Sequence, residues 1–246
     1  MCSRVICRQS RGAVLFLLAL LFVLSSSSAQ KSADWSRTLA LPKGEKRVVL
    51  FNGRNLSGWE GQIGKYWSVE KGVIRGANEE EVPASTYLFT KKHYRNFRLL
   101  LEVKQTRGDH YSTMHSAVCA LGEKLTDKGD PHSYKGPLLM FCNDWGIWDA
   151  NRRNRIYPIG AGRVDNPAEK VGDWNQIEIL VIGDRIRMVG NGRQTIDFTD
   201  SPGTLTASPI GLQLHSNNRP QEYHFRGLVL VENPTDKLLT LTPEEK

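Results

Sequence analysis

The sequence predicts an all-β domain, a two-sheet antiparallel β-sandwich, and three observations carry that expectation. Between Val48 and Asn233, short alternating or apolar runs recur, each bounded by Gly, Asn, Asp or Pro. No useful window keeps apolar residues at i, i+3, i+4 and i+7, so helix is almost absent. Two tight turns in succession, Gly183-Asp184 and Asn191-Gly192, divide residues 175–200 into a three-stranded meander. Gly suits the first central position of a type II′ turn, and Asn-Gly readily takes the positive φ angles of type I′. The missing crossover helices exclude an all-parallel sheet, and about eleven short strands then leave a sandwich or barrel.

The elements follow in order. RVVLF (47–51) opens the domain, and YWSVEKGVIRGA (66–77) reads as two strands broken at Lys71-Gly72. TYLFT (86–90) and FRLLLEVKQT (97–106) are rich in aromatic and branched residues, the types that fit a pleated, half-buried surface. SAVCALG (116–122) and PLLMFCN (137–143) are continuous apolar runs of strand length. In the meander NQIEILVIG (175–183), RIRMVGN (185–191) and QTIDFTD (194–200), the alternation Ile177, Ile179, Val181 marks one buried face. IGLQLHS (210–216) and YHFRGLVLVEN (223–233) close the series. With no internal boundary and no repeat, one domain is expected over residues 47–233. A polar linker (30–46) precedes it, and a polar tail (234–246) is expected to trail on the surface.

Residues 1–29 have the layout of a secretory signal peptide. Arg4, Arg8 and Arg11 precede the apolar run Ala13 to Leu24, and Ser27 and Ala29 are placed for small-residue cleavage. The run is short for a bilayer span, which needs roughly 20 residues. The expected product is secreted or periplasmic, with no stable membrane span after cleavage. Its loss takes the formal charge from +7 to +4. That mild balance has no basic block with interleaved aromatics, so nucleic acid is not an expected partner.

Cys2 and Cys7 leave with the peptide. Cys119 and Cys142 sit in apolar runs and read as buried thiols, with a disulfide as the alternative in an oxidising compartment. There is no metal-ligand spacing, so no cofactor is expected, a calcium ion on Asp and Asn oxygens being the alternative. Nucleophile-elbow, phosphate-loop and dinucleotide motifs are absent.

The middle of the chain concentrates polar chemistry. NDWGIWDANRRNRIYP (143–158) reads as a loop at a strand end, where binding and catalytic residues often gather. Asp144 and Asp149 are candidate bases, Arg152 and Arg155 candidate anchors for an anionic oxygen, and Trp145 and Trp148 candidate platforms for a sugar ring. The bland alternative is a structural loop held by Asp–Arg pairs and packed tryptophans. His215, ending the GLQLH strand, is the second candidate base, and His115 a candidate substrate contact. Glu222 reads more simply as a solvated turn residue.

Six segments in order resemble one family, the 3-keto-disaccharide hydrolase domain. They are LFNGRNLSGWEG (50–61), YWSVEKGVIRG (66–76), YLFTKKHYRNFRLLLEVK (87–104), GDWNQIEILVIGDRIRMVGNGRQTIDF (172–198), SPIGLQLHSNN (208–218) and YHFRGLVLVE (223–232). The resemblance implies a concanavalin-like jelly roll with its site on a concave sheet face. It also implies cleavage of glycosides oxidised to a ketone at sugar carbon 3, by proton abstraction at C2, β-elimination and hydration. Two segments depart from the pattern. GPLLMFCND (136–144) puts Leu138 and Met140 where the family has Glu and Gln, and HSAVCAL (115–121) puts His115 and Leu121 where it has Asn and Arg. The expected partner is an oligosaccharide or glycoside substrate. A non-catalytic glycan-binding module is the alternative, because one fold serves both roles.

Overall fold

The computed structural model describes residues 35–108, 114–141, 146–154, 170–200 and 203–245. Their strands are β1 (Arg47–Val49), β2 (Trp59–Glu60), β3 (Trp67–Glu70), β4 (Val73–Asn78), β5 (Thr86–Tyr94), β6 (Phe97–Arg107), β7 (Ala117–Cys119) and β8 (Glu123–Asp127). They continue with β9 (Asp130–Met140), β10 (Ile147–Ala150), β11 (Asn175–Ile182), β12 (Arg185–Gly190), β13 (Arg193–Thr199), β14 (Ser208–Leu214) and β15 (Gln221–Glu232). One short helix, α1 (Trp35–Thr38), precedes them.

The strands form two antiparallel sheets. One runs β13-β12-β11-β6-β15-β4-β3 with β1 also on β15, and the other runs β10-β9-β7-β14-β5-β2 with β8 on β9. The expected two-sheet sandwich is therefore the observed architecture. Period-two alternation sorts its side chains. Leu88, Val118, Leu139, Leu212 and Leu214 from one sheet meet Leu99, Leu101, Ile177, Ile179 and Phe225 from the other in a single intersheet core. Turn chemistry holds the meander where the sequence puts it: Gly183, Asn191 and Gly192 all have positive φ, at 56°, 46° and 89°.

Three strands lie where no strand signal is present in the sequence. β2 is only two residues long, and β8 is a charged edge strand whose pattern carries no apolar alternation. It pairs with an early extension of β9, through a turn at Lys128 and Gly129 with φ of 45° and 83°. The third, β10, occupies part of the stretch expected to be all loop and pairs Trp148 with Leu138 and Asp149 with Pro137.

The C-terminal segment also departs from expectation: it does not trail free. The outward face of the eight-stranded sheet carries Leu180 and Val189, and Leu238 packs onto them. Arg98 on β6 and Glu178 on β11 form a fully buried ion pair beneath it. Glu178 also accepts hydrogen bonds from the amides of Leu239 (2.9 Å) and Thr240 (2.9 Å) and from the Thr240 hydroxyl (2.7 Å). Arg98 donates to the carbonyl of Lys237 at 2.6 Å. The polar composition of the tail conceals these contacts, because most of them are made by its backbone.

On the outward face of the other sheet, Gly211 of β14 lets Cys119 and Phe89 approach. A Cβ at 211 would stand 2.5 Å from Cys119 Sγ and 2.8 Å from the Phe89 ring. Gly211→Ala is accordingly expected to destabilise the fold by about 1–3 kcal/mol through overpacking, seen as a lower urea midpoint with unchanged slope.

Candidate functional site

The outward face of the seven-stranded sheet forms a groove. The same alternation that sends Leu88, Leu212, Leu139 and Ile147 inward sends Tyr87, Gln213, Leu138, Met140, Trp148 and Ala150 outward. At one end, the β8–β9 hairpin covers this face. Tyr134 packs against Tyr87 and Phe89, with ring centroids 5.7 and 6.4 Å away, and its hydroxyl donates to the Ala120 carbonyl at 2.6 Å. What remains open is a cavity of about 320 Å³. That volume lies near the lower end of the ~300–1,000 Å³ typical of small-molecule sites.

Polar groups converge on the β5–β14 side of the cavity. His115 and His215 meet edge to face there, with ring centroids 4.2 Å apart and planes at 69°. His215 sits just past the end of β14, and its carbonyl accepts a 2.6 Å hydrogen bond from Gln221 Nε2. His115 is brought alongside by Ser116, whose hydroxyl donates to the Gln213 carbonyl at 2.8 Å. Gln213 Nε2 donates to the Tyr87 hydroxyl at 3.1 Å. Burial pushes the Tyr87 phenol well above its ordinary pKa, with the nearby Cys119 adding to the effect and the Gln213 hydrogen bond opposing it. Tyr87 therefore stays a neutral hydroxyl across the physiological range. On the β9–β10 side, Leu138, Met140, Trp148 and Ala150 form an apolar floor, and Asp127, Lys128, Ser133, Asn151 and Asn154 also line the cavity.

The structure divides the residues singled out in the sequence. His115, His215 and Trp148 line the cavity. Asp149 does not: it faces away from Trp148 across β10 and is 1% exposed. Its carboxylate accepts from Arg152 Nε at 2.8 and 3.0 Å and lies 3.3 Å from Arg153 Nε. Arg152 continues to the Thr204 hydroxyl at 2.8 Å, so both residues belong to a polar pin behind the groove. Asp144, Trp145 and Arg155 lie outside the described residues, as does Cys142. Cys119 is a buried free thiol packed on the same sheet face, and burial raises its pKa well above the usual range. Leu121, at one of the departures from the family pattern, packs in the intersheet core. Leu138 and Met140, at the other, face the groove. Among the described residues, no group of three or more His, Cys, Asp or Glu side chains is arranged to hold a metal ion. No helix among them is long and apolar enough to cross a membrane.

Tyr87 and Gln213 are site residues that sequence reasoning missed. Their signal was present, since each is a polar tip at the outward position of a strand whose alternate residues are apolar.

The pin is itself testable. Arg153 reaches from Asp149 to Asp200 Oδ1 at 3.2 Å, and Asp200 Oδ2 accepts from the Thr204 amide at 3.0 Å and hydroxyl at 2.7 Å. Burial works to raise the Asp200 carboxyl, but Thr204 and Arg153 together hold it below the ordinary aspartate range. A carboxylate lowered in this way stabilises the fold above its unfolded-state pKa, and that contribution is lost as pH falls through the folded value. Asp200→Asn is therefore expected to be less stable than the parent at about pH 7, with the gap closing as pH falls below the ordinary aspartate value of about 3.9. Urea midpoints across this range check this.

A model of the 3-keto-alpha-glucoside-1,2-lyase-like domain matches residues 46–230 of the chain. No curated protein sequence matches it. Two solved structures from Parabacteroides distasonis, provisionally designated glycosyl hydrolases, are similar in fold. The first has 20% identity, a TM-score of 0.54, and coverage of 76% of this chain and 93% of that one. The second has 21% identity, a TM-score of 0.51, and coverage of 75% and 98%. The exoplasmic/lumenal domain of VIP36, solved with Ca²⁺ and Man3GlcNAc, is similar at 10% identity and a TM-score of 0.52, over 82% of this chain and 93% of that one. At these identities, the likeness establishes the jelly-roll sandwich.

Proposed function

Because the chain belongs to the 3-keto-alpha-glucoside-1,2-lyase-like family, a carbohydrate-related family, we propose that its groove cleaves glycosides carrying a ketone at sugar carbon 3. The observation that supports this reading best is the His115–His215 pair above a floor holding Gln213 and Tyr87. A C3 ketone acidifies the C2 proton, so one base suffices and the paired carboxylates of an ordinary glycosidase are not required.

In this reading, His215 takes the C2 proton. The electrons of the C2–H bond pass into an enolate whose oxygen sits at C3, and the buried Tyr87 hydroxyl is the donor for that oxygen. The C1–O bond then breaks with its electron pair on the departing oxygen, which takes a proton from the imidazolium of His215. Water adds hydroxyl at C1 and hydrogen at C2 of the resulting enone. His115, edge-on to His215, sets the orientation of the base. Asp149 and Arg152 serve by pinning β10, and with it Trp148, in place. Export through residues 1–29 accompanies this reading, and glycosides met outside the cytoplasm are its substrates.

Incubating the protein with a 3-keto-glucoside and with its unoxidised parent tests the proposal. Enone absorbance and aglycone release from the keto form alone are expected, unaffected by EDTA. Release from neither would overturn catalysis. The apolar residues Leu138 and Met140, standing where the family has Glu and Gln, favour the second reading, a glycan-binding module. That reading is distinguished by tryptophan quenching on titration without product.

A further inference from the structure

The groove floor is divided by chemistry along the strand order, and the division carries information about the substrate. In the sequence β10-β9-β7-β14-β5, the polar groups Tyr87, Gln213, His115 and His215 belong to the β14–β5 side, and Leu138, Met140, Trp148 and Ala150 to the β10–β9 side. Between them, β7 places the small, fully buried Ala117 and Cys119 on the same sheet face. Neighbouring strands are ~4.8 Å apart, so two adjacent rings laid across β7 would have one on each half.

On the polar half, Gln213 is 2% exposed. Its Nε2 is committed to Tyr87, while its Oε1 has no hydrogen-bond partner. A buried acceptor at a cavity wall that stays unpaired is costly unless a ligand supplies a donor, and a sugar hydroxyl is such a donor. On the apolar half, Leu138 and Met140 offer no partner to hydroxyls. A second sugar laid on Leu138 and Met140 would find replacement hydrogen bonds only from residues around them, such as Ser133, Asn151 and Asn154, whereas a flat apolar ring would gain burial directly against Met140 and Trp148.

Building on the proposed function, we infer that the cavity is specific for aryl glycosides: a 3-keto sugar seats on Gln213 and Tyr87, and a phenol-derived leaving group seats on Leu138, Met140 and Trp148. The chemistry is balanced as above. The C2 proton passes to His215, the C1–O bond breaks with its electron pair on the phenolic oxygen, the proton returns to that oxygen, and water adds across the enone. A phenol ionises near the tyrosine value of about 10 and so departs more readily than a sugar alkoxide. The cavity volume of about 320 Å³ accords with one sugar and one further ring.

Calorimetric titration of the protein with phenyl α-glucoside and with maltose separates this inference from the catalytic reading, because neither probe carries the C3 ketone. Phenyl α-glucoside is expected to bind at least about tenfold more tightly. In L138E/M140Q, the preference should fall to about unity or invert, with the thermal melt confirming the fold. If that variant does not fold, Trp148→Ala should reduce phenyl glucoside affinity about tenfold and leave maltose within about twofold. Equal binding, tighter maltose binding, or no saturation by either probe overturns the inference. The two 3-keto derivatives then provide the kinetic arm. Equal kcat/KM for both overturns the inference and leaves the catalytic reading standing. Cleavage of neither, with phenyl preference intact in binding, overturns the catalytic reading and leaves the inference standing.

Discussion

Replacing His215 by Gln is expected to lower kcat on a 3-keto-glucoside by ~10²–10⁴-fold, the range typical for removing a positioned general base. Glutamine keeps a polar side chain of similar reach at the end of β14, so the loss reports the missing base rather than a lost contact. Substrate affinity should change little, because the C2 proton is transferred in the transition state and not in the bound ground state. The backbone at this position is held independently, through the 2.6 Å hydrogen bond from Gln221 to the His215 carbonyl. The melting temperature should accordingly stay near that of the parent. Single-turnover measurements of enone formation make the comparison direct. A variant that retains parental kcat would remove His215 from the mechanism and return attention to the stretch containing Asp144.

Replacing Glu178 by Gln is expected to destabilise the protein by about 3–5 kcal/mol, the scale for breaking a buried ion pair by deleting one charge. The side chains of Arg98 and Glu178 are both 0% exposed, so the remaining guanidinium has no water to turn to and keeps only Glu45, at 3.4 Å, as a charged partner. The same carboxylate gathers the Leu239 and Thr240 amides, so the tail loses its anchor in the same step. For a domain of this size, ~2–4 °C per kcal/mol applies, which puts the fall in melting temperature at roughly 6–20 °C. A replacement of Arg98 and Glu178 together by apolar residues should recover only part of the loss, since it spares a lone buried guanidinium but takes from Glu45 its Arg98 contact. A Glu178→Gln shift below about 2 °C would contradict the burial described for this pair.

What could be read from the sequence followed from how local each signal is. Strand periodicity and turn residues act over a few positions. The meander at residues 175–199 and the split of residues 66–77 at Lys71-Gly72 were therefore legible, and the observed strands β11 to β13, β3 and β4 occupy those segments. Two-residue β2 and charged β8 gave no such signal, because neither buries an alternating apolar face of its own. For the site, the clustering of Trp, Asp and Arg in 143–158 pointed to one region but not to directions. Pairing of β10 with β9 fixes those directions, sending Trp148 into the groove and Asp149 behind it. A one-residue difference in register would exchange their roles, and no property of the loop sequence specifies it. The groove's other wall, Tyr87 beside Gln213, joins residues far apart in the chain whose strands pair only in the folded sheet.

The position of β15 has a consequence for how the chain reaches its fold. This strand lies between β6 and β4 and also carries β1, so Val231 pairs with Arg47 and Glu232 with Phe97. Until it emerges, β6 and β4 each present an unpaired row of amides and carbonyls, and the sheet has no centre. Contacts of such long sequence separation form slowly, and open strand edges invite pairing between chains. A nascent or prematurely terminated chain ending before Gln221 would therefore be an aggregation-prone intermediate rather than a smaller working domain. The pairing of both halves of this sheet is complete only with β15 in place.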